Sequence, residues 1–297
     1  MSSTSIKMDH SLATDGIRTR QNRLLRSLKR DPGALLSIVF LLLVVLVAIF
    51  SSVIVPETIN NPDFGARLLA PLSEGHLAGT DQLGRDVWGR MLLGARISMT
   101  VGFVTVAISA LIGVPIGMLA GYYGGWLDVL LMRLVDVQLA FPFILLALTI
   151  NAILGLGLRN IIITLVIAGW IEYARIARGE TLVVREKEFV QAAHLSGANG
   201  WRIHLRHILP NIGTPLIVIS TLQVARFIIA EASISFLGFG IQPPTPAWGS
   251  MVSEGLDYIF SAWWLITLPG LALALVALAV NITGDWLRDT LDPRIQK

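Results

Sequence analysis

No cysteine occurs anywhere in the 297 residues. That excludes a disulfide framework, a thiolate zinc site and a cysteine nucleophile, while leaving the compartment open. Charge is scarce too, with Asp, Glu, Lys and Arg making up 14% of the chain against about a quarter in an ordinary soluble domain. With 54% hydrophobic residues and a mean hydropathy of +0.69, the balance argues for a polytopic membrane protein in contact with lipid. The net charge of +3 is modest, and no nucleic-acid partner is expected. A G-x-x-x-x-G-K-[ST] phosphate loop is also missing, so the chain does not hydrolyse nucleotide by that route. Asp, His and Ser are scattered and mostly outside the apolar runs, which speaks against an intramembrane enzyme. His194, His204 and His207 form no metal set and are expected as surface or partner contacts.

What is present is a series of long apolar runs. At 1.5 Å per residue, about 20 apolar residues cross a hydrocarbon core of about 30 Å. Six segments qualify, approximately 33–55, 98–121, 133–155, 160–177, 213–237 and 263–284, and the predicted class is all-α. The first run is too long for the h-region of a signal peptide and ends at Pro56 without a cleavage pattern, so it is expected to be retained. Lysine and arginine fix the orientation. With the N-terminus in the cytosol, 17 of the 23 fall inside: seven in the leader, Arg133, six in and beside the polar loop, and three in the tail. Five fall outside (Arg67, Arg85, Arg90, Arg96 and Arg159), and Arg226 sits within a span. Both termini are therefore expected inside. The chain divides into a cytosolic leader (1–32), a first span with its external loop (33–97), a core of five spans (98–285) interrupted by a cytosolic loop (178–212), and a cytosolic tail (286–297).

Gly113, Gly117, Gly121 and Gly125 recur every four residues and predict a bare ridge along one helix, for packing within the chain or between subunits. In the outside segment Gly79–Ser98, Val87, Trp88, Met91, Leu92 and Ala95 share one helical face with Asp86 and Arg90 away from it. That pattern predicts a short helix in the membrane interface or against the outer ends of the spans. The polar loop predicts two more helices. One runs from about Glu186 to Ser196, with Gly197 as a left-handed C-terminal cap and Phe189, Ala192, Ala193 and Ser196 on one face. Asn199 caps the second, which carries Trp201, Ile203, Leu205 and Ile208 until Pro210 interrupts it. Loops that only connect have medians of about 4–6 residues. One of more than thirty with folded structure points to a protein partner or a self-packed elbow.

Gln191-Ala192-Ala193, then Gly197, then Ile208-Leu209-Pro210 resembles the EAA signature of bacterial ABC-importer permeases. The leading Glu is Gln191 here, so no charged contact is assigned to it. GTDQLGRDVWGRMLLGARIS, AGYYGGWLDVLLMRLVDVQLAFP, SFLGFGIQPPTPAWG and GDWLRDTLDPR are similar to the dipeptide, oligopeptide and nickel subgroup, C-type subunit. Together the matches cover about residues 30–294. The resemblance implies a MetI-like permease core in the bacterial cytoplasmic (inner) membrane. It also implies a second homologous permease subunit, two cytosolic ATPase subunits that carry the ATP and Mg, and an external solute-binding protein. This chain itself then needs no cofactor and is not an enzyme. Glu188, Phe189, Gln191, Ala192, Ala193, Ser196, Gly197 and Ala198 would form the coupling helix on an ATPase. The implied cargo is di- or oligopeptides, with nickel or another small solute as the alternative; an ion-coupled secondary transporter using Glu231 is a further one.

Arg226 and Glu231 are charges inside a span, where each costs about 2.5–3.5 kcal/mol on insertion scales. Both should face protein or water, as contacts to another span or as lining of the solute path; their spacing puts them on different sides of a helix. Asp128, Arg133 and Asp136 flank the third span, where the helix dipole accounts for the acids and nearness to the cytosolic machinery is the alternative. QPPTP (242–246) with Trp248 is a turn-rich external loop, either a corner or near the binding-protein dock. Because the chain lacks cysteine, Ser196→Cys supplies a single thiol. It should react with a membrane-impermeant maleimide in inverted vesicles and stay unlabelled in intact cells; labelling from outside refutes the orientation.

Overall fold

The computed structural model of the chain describes residues 27–291. Most of the expected leader and the end of the expected tail lie outside those described residues. Five helices are long and apolar enough to cross a membrane, and six spans result if one bent pair counts as one. No strand is present among the described residues, only two isolated bridges in a loop.

Helix α1, Pro32–Ile54, begins where Asp31 accepts a hydrogen bond from the amide of Ala34 at 3.0 Å, with Pro32 in the first turn. It is apolar all round, yet buries only Ala34, Ser37, Val44, Ala48 and Ser51, a stripe turned to the other helices. Helix α2, Val87–Tyr123, is 37 residues long. The expected second span is its later part. The expected interfacial helix is not separate: its helical portion is the first turns of α2, capped by Asp86, whose Oδ2 accepts from the Gly89 amide at 2.8 Å. Residues 79–86 instead form a turn folded around Asp81. The predicted faces also change. Val87 and Ala95 are buried but Trp88 is exposed, and Arg90, expected to point away, is 1% exposed.

Gly124, at φ +64°, turns the chain from α2 into α3, Gly125–Leu139. The expected third span is not straight. It comprises α3 and α4, Phe143–Leu154, bent by 88° at Ala140–Pro142. Proline supplies no amide and disfavours a helical residue before it, which explains the break. Helix α5, Leu158–Arg185, follows, then the short α6, Glu188–Leu195. Helix α7, Gly200–Phe236, is continuous through Pro210, contrary to the predicted interruption. A π-helical turn over His204–Ile208 does this: the Leu209 amide bonds to the carbonyl of His204, five residues back, loosening the turn that the proline ring must enter. Helices α8, Trp248–Gly255, and α9, Trp264–Leu291, complete the fold. The loop after α1, α8 and the start of α9 share one end of the bundle. At the other end, the indole of Trp286 in α9 donates to Ser27 Oγ at 3.2 Å, joining the segment before α1 to α9.

The predicted glycine ridge packs within the chain. A Cβ at Gly113, Gly117 or Gly121 would lie 2.2, 2.1 or 2.8 Å from the carbonyl oxygens of Trp170, Ala174 and Arg178, successive turns of α5. Gly125 is not part of it; it opens α3 with nothing within 4 Å of its Cβ position. Gly117→Val should therefore force α2 from α5 at a cost of about 1–3 kcal/mol, read as a lower melting temperature of the purified protein. Gly113→Val is expected to do the same; unchanged melting in both refutes this packing account.

Candidate coupling loop and charged face

Helix α6 is pinned by one side chain. Val190 is 2% exposed, and Ala193 and Ala198 are partly covered. Glu188, Phe189, Gln191, Ala192, Ser196 and Gly197 are exposed, so the expected coupling residues are open except at Ala193 and Ala198. Two apolar residues that sequence reasoning did not assign to that face stand out beside it, Leu195 at 87% and Trp201 at 69% exposed. The available signal was an apolar residue two places before the capping glycine and well off the bearing of Val190. Gly197 ends the helix as predicted. At φ +77° it sends its amide to the His194 carbonyl at 3.0 Å, and the amide of Ala198 reaches Ala193 at 3.1 Å. Those two bonds are the paired closure of a Schellman motif. Nothing lies within 4 Å of the Gly197 Cβ position. Asn199 then caps α7 by accepting from the Trp201 amide at 3.4 Å.

The loop is tied to three helices. Arg185, at the end of α5, donates to the carbonyls of Gly121 at 2.8 Å and Tyr122 at 3.3 Å, which α2 leaves free at its C-terminus. Arg178 of α5 holds Asp128 of α3 through two bonds of 2.5 and 2.6 Å, so Asp128 does more than meet a helix dipole. His204 departs from the expected surface position. It is 5% exposed, with Nδ1 2.7 Å from the Gly200 carbonyl and its ring edge-on to Tyr122 at 4.6 Å. Ile203 and Ile208 are buried with it, while Leu205 is exposed. His207 lies beside Phe189 at 6.4 Å and His194 is exposed. Among the described residues no three His, Cys, Asp or Glu gather as a metal site.

The two charges of the fifth span do face different ways. Glu231 is 0% exposed inside the bundle; Ser235 Oγ donates to its Oε1 at 2.6 Å, and Ser98 of α2 lies beside it. It does not line an open surface of this chain. The Arg226 side chain is 56% exposed and pairs with Glu172 of α5, itself 38% exposed. Glu172 was not among the predicted residues.

At the opposite end lies an ion cluster that sequence reasoning also missed. Asp81 Oδ2 accepts from Arg85 at 2.7 Å and from Arg90 at 3.0 Å, and both arginines reach Glu254 Oε2, at 3.0 and 3.2 Å. Asp81 Oδ1 also receives the amides of Leu83 and Arg85 at 2.8 and 3.0 Å. Two cations and two anions balance, which is what lets Arg85 and Arg90 be buried. Trp248 is buried alongside and donates to the Met91 carbonyl at 3.0 Å, so this part of the expected external loop serves as a corner.

Residues 113–297 match the family model described as "Binding-protein-dependent transport system inner membrane component". Residues 22–71 match the N-terminal TM domain of oligopeptide transport permease C. The chain is 42% identical to the di/tripeptide transport system permease protein DppC of Pseudomonas aeruginosa, covering 91% of each. It is 43% identical to the glutathione transport system permease protein GsiD of Escherichia coli O6:K15:H31, covering 95% of this chain and 93% of that one. Among solved structures, a chain of the inward-facing MetNI methionine ABC transporter superposes with a TM-score of 0.57 at 19% identity, over 69% of this chain and 98% of that chain. That likeness concerns the fold.

The exposure pattern of α6 gives a paired expectation. Val190→Ala should loosen the helix at a cost of about 1.5–3 kcal/mol. Faster tryptic cleavage at Arg185 and Lys187 would report it. Leu195→Ala should leave cleavage unchanged, and equal effects would contradict the anchoring described.

Proposed function

Because the chain belongs to the binding-protein-dependent transport system inner membrane components, we propose that it carries di- or oligopeptides inward as one of two homologous permease subunits. As a family member it is a multi-pass protein of the bacterial inner membrane, and importers of this kind work with ATPase and solute-binding partners. The finer assignment is two cytosolic ATPase subunits holding ATP and Mg, an external binding protein that delivers the solute, and both termini of this chain in the cytosol. The peptide cargo is supported by relatives named for dipeptides, di/tripeptides and glutathione.

One observation carries the coupling reading. Helix α6 displays Phe189, Ala192, Leu195 and Ser196 outward, while its flanks are fastened to three spans through Arg185, Val190 and His204. A helix so exposed and so tethered passes a push from a docked ATPase into α2, α5 and α7. Closure of the ATPase pair on nucleotide then shifts the α5–α6–α7 elbow, and the spans alternate between inward-open and outward-open arrangements. Glu188, Gln191, Ala193, Gly197 and Ala198 complete this contact, with Gln191 as a neutral hydrogen-bonding member. Arg226 faces the solute path; Glu231 lies buried inside the bundle instead.

Gly197→Arg tests the reading. The long cation would project from open space into the docked partner, and the positive φ disfavours a side chain there. Uptake and binding-protein-stimulated ATPase activity should both fall about tenfold or more, as a docking loss of about 1.4 kcal/mol or more would bring. Normal values of both would overturn docking at α6.

A further inference from the structure

An exposed ion pair in the middle of a membrane span needs an explanation. Phe227, the neighbour of Arg226, fills the level of Gly169 and Ser109, near the middle of the apolar part of α2. Arg226 therefore stands deep in the hydrocarbon layer, and its bond to Glu172 leaves both side chains substantially uncovered. Lipid on that face would make both charges costly, so the face meets protein or water. On α7 it continues through Ile229, Ser233 and Phe236, spaced as one helical stripe. On α5, one turn from Glu172, comes Arg175, which is exposed and has no ion-pair partner among the described residues. The cluster is thus two cations to one anion on a surface shared by two helices.

We propose that Arg226, Glu172 and Arg175 form a subsite for the charged termini of a zwitterionic solute, the two arginines taking its carboxylate and Glu172 its ammonium group. This rests on the peptide reading above. An entering carboxylate competes with Glu172 for Arg226, and Arg175 supplies the second cation that makes the exchange favourable. The ammonium group then occupies the side of Glu172 that Arg226 gives up. No covalent step is involved; the pair opens for the solute and closes behind it. Because Arg175 lies one turn nearer the α6 end, the carboxylate is handed along the direction of import.

The test uses the complete importer in proteoliposomes, with its partner permease, ATPases and binding protein saturated with labelled alanyl-alanine. Glu172→Gln/Arg226→Gln keeps polar groups facing each other across the two helices, and Arg175→Gln removes the unpaired cation. Each should lower maximal uptake about ten- to hundredfold, as expected for losing charge-assisted hydrogen bonds. Stimulation of ATPase activity by the loaded binding protein should persist, so that more ATP is spent per peptide. The apparent affinity for the binding protein should not change, since the solute meets this face only after release. Arg175→Lys should recover most of the uptake. Uptake in the Gln variants within twofold of the parent overturns the subsite. Failure of those complexes to assemble also overturns it, because the face would then be a subunit contact. If the parent importer takes up no peptide, the cargo reading falls first and the subsite with it.

Discussion

Direct backbone contact between α2 and α5 sets the arrangement of everything else. Lipid supplies no hydrophobic drive between helices, so association depends on how closely their surfaces fit. Gly113, Gly117 and Gly121 let carbonyls on three successive turns of α5 come within van der Waals reach of α2. Once that seam is fixed, α5 has one available rotation. It turns Tyr173, Ala174 and Ala177 inward and leaves Glu172 and Arg175 outward. It also carries Arg178 to Asp128 and Arg185 to the open end of α2. The position of α6, which follows α5 directly, is a consequence of the same seam.

The charges sort by what surrounds them. At one end, Asp81, Arg85, Arg90 and Glu254 neutralise one another in a buried cluster that fastens the loop before α2 to α8. At the other end, Asp128–Arg178 and Arg185 lock helix termini. Among the described residues, only the Arg226–Glu172 pair is both deep and open. A fastening pair is satisfied when its geometry is fixed, whereas a pair that exchanges partners must be reachable. Exposure, more than the presence of charge, separates the two uses.

The rigid and compliant parts of the elbow follow from local chemistry. The Schellman closure at Gly197 and the Asn199 cap end α6 and start α7 with little slack between them. Immediately after, the π turn at His204–Ile208 admits Pro210 without ending α7, so the elbow stays mechanically continuous with the span. His204, edge-on to Tyr122, places the end of α2 against this same turn. A displacement of α6 is therefore passed on through buried Val190 and through the packed contacts of its flanks.

By itself the sequence determined whatever depends on neighbours along the chain. Apolar run length gave the spans, Gly197 and Asn199 gave the helix ends between them, and four-residue glycine spacing gave the ridge, because turn chemistry and helical period act over a few residues. Five- and three-residue spacings likewise predicted that Arg226 and Glu231 diverge and that Phe189 and Ala192 share a face. Only tertiary structure decided the rest. Arg90 looked like a solvent charge until Asp81 and Glu254, distant in sequence, surrounded it. Glu172 gained meaning from Arg226 on another helix, and Gly125 dropped out of the ridge because the chain turns at Gly124. Pro142 and Pro210 look alike in sequence, yet one breaks its span and the other is absorbed by a widened turn. What separates such cases is the packing of segments far apart in the chain, which decides whether a charge is paired, a face is covered, or a loosened turn is held.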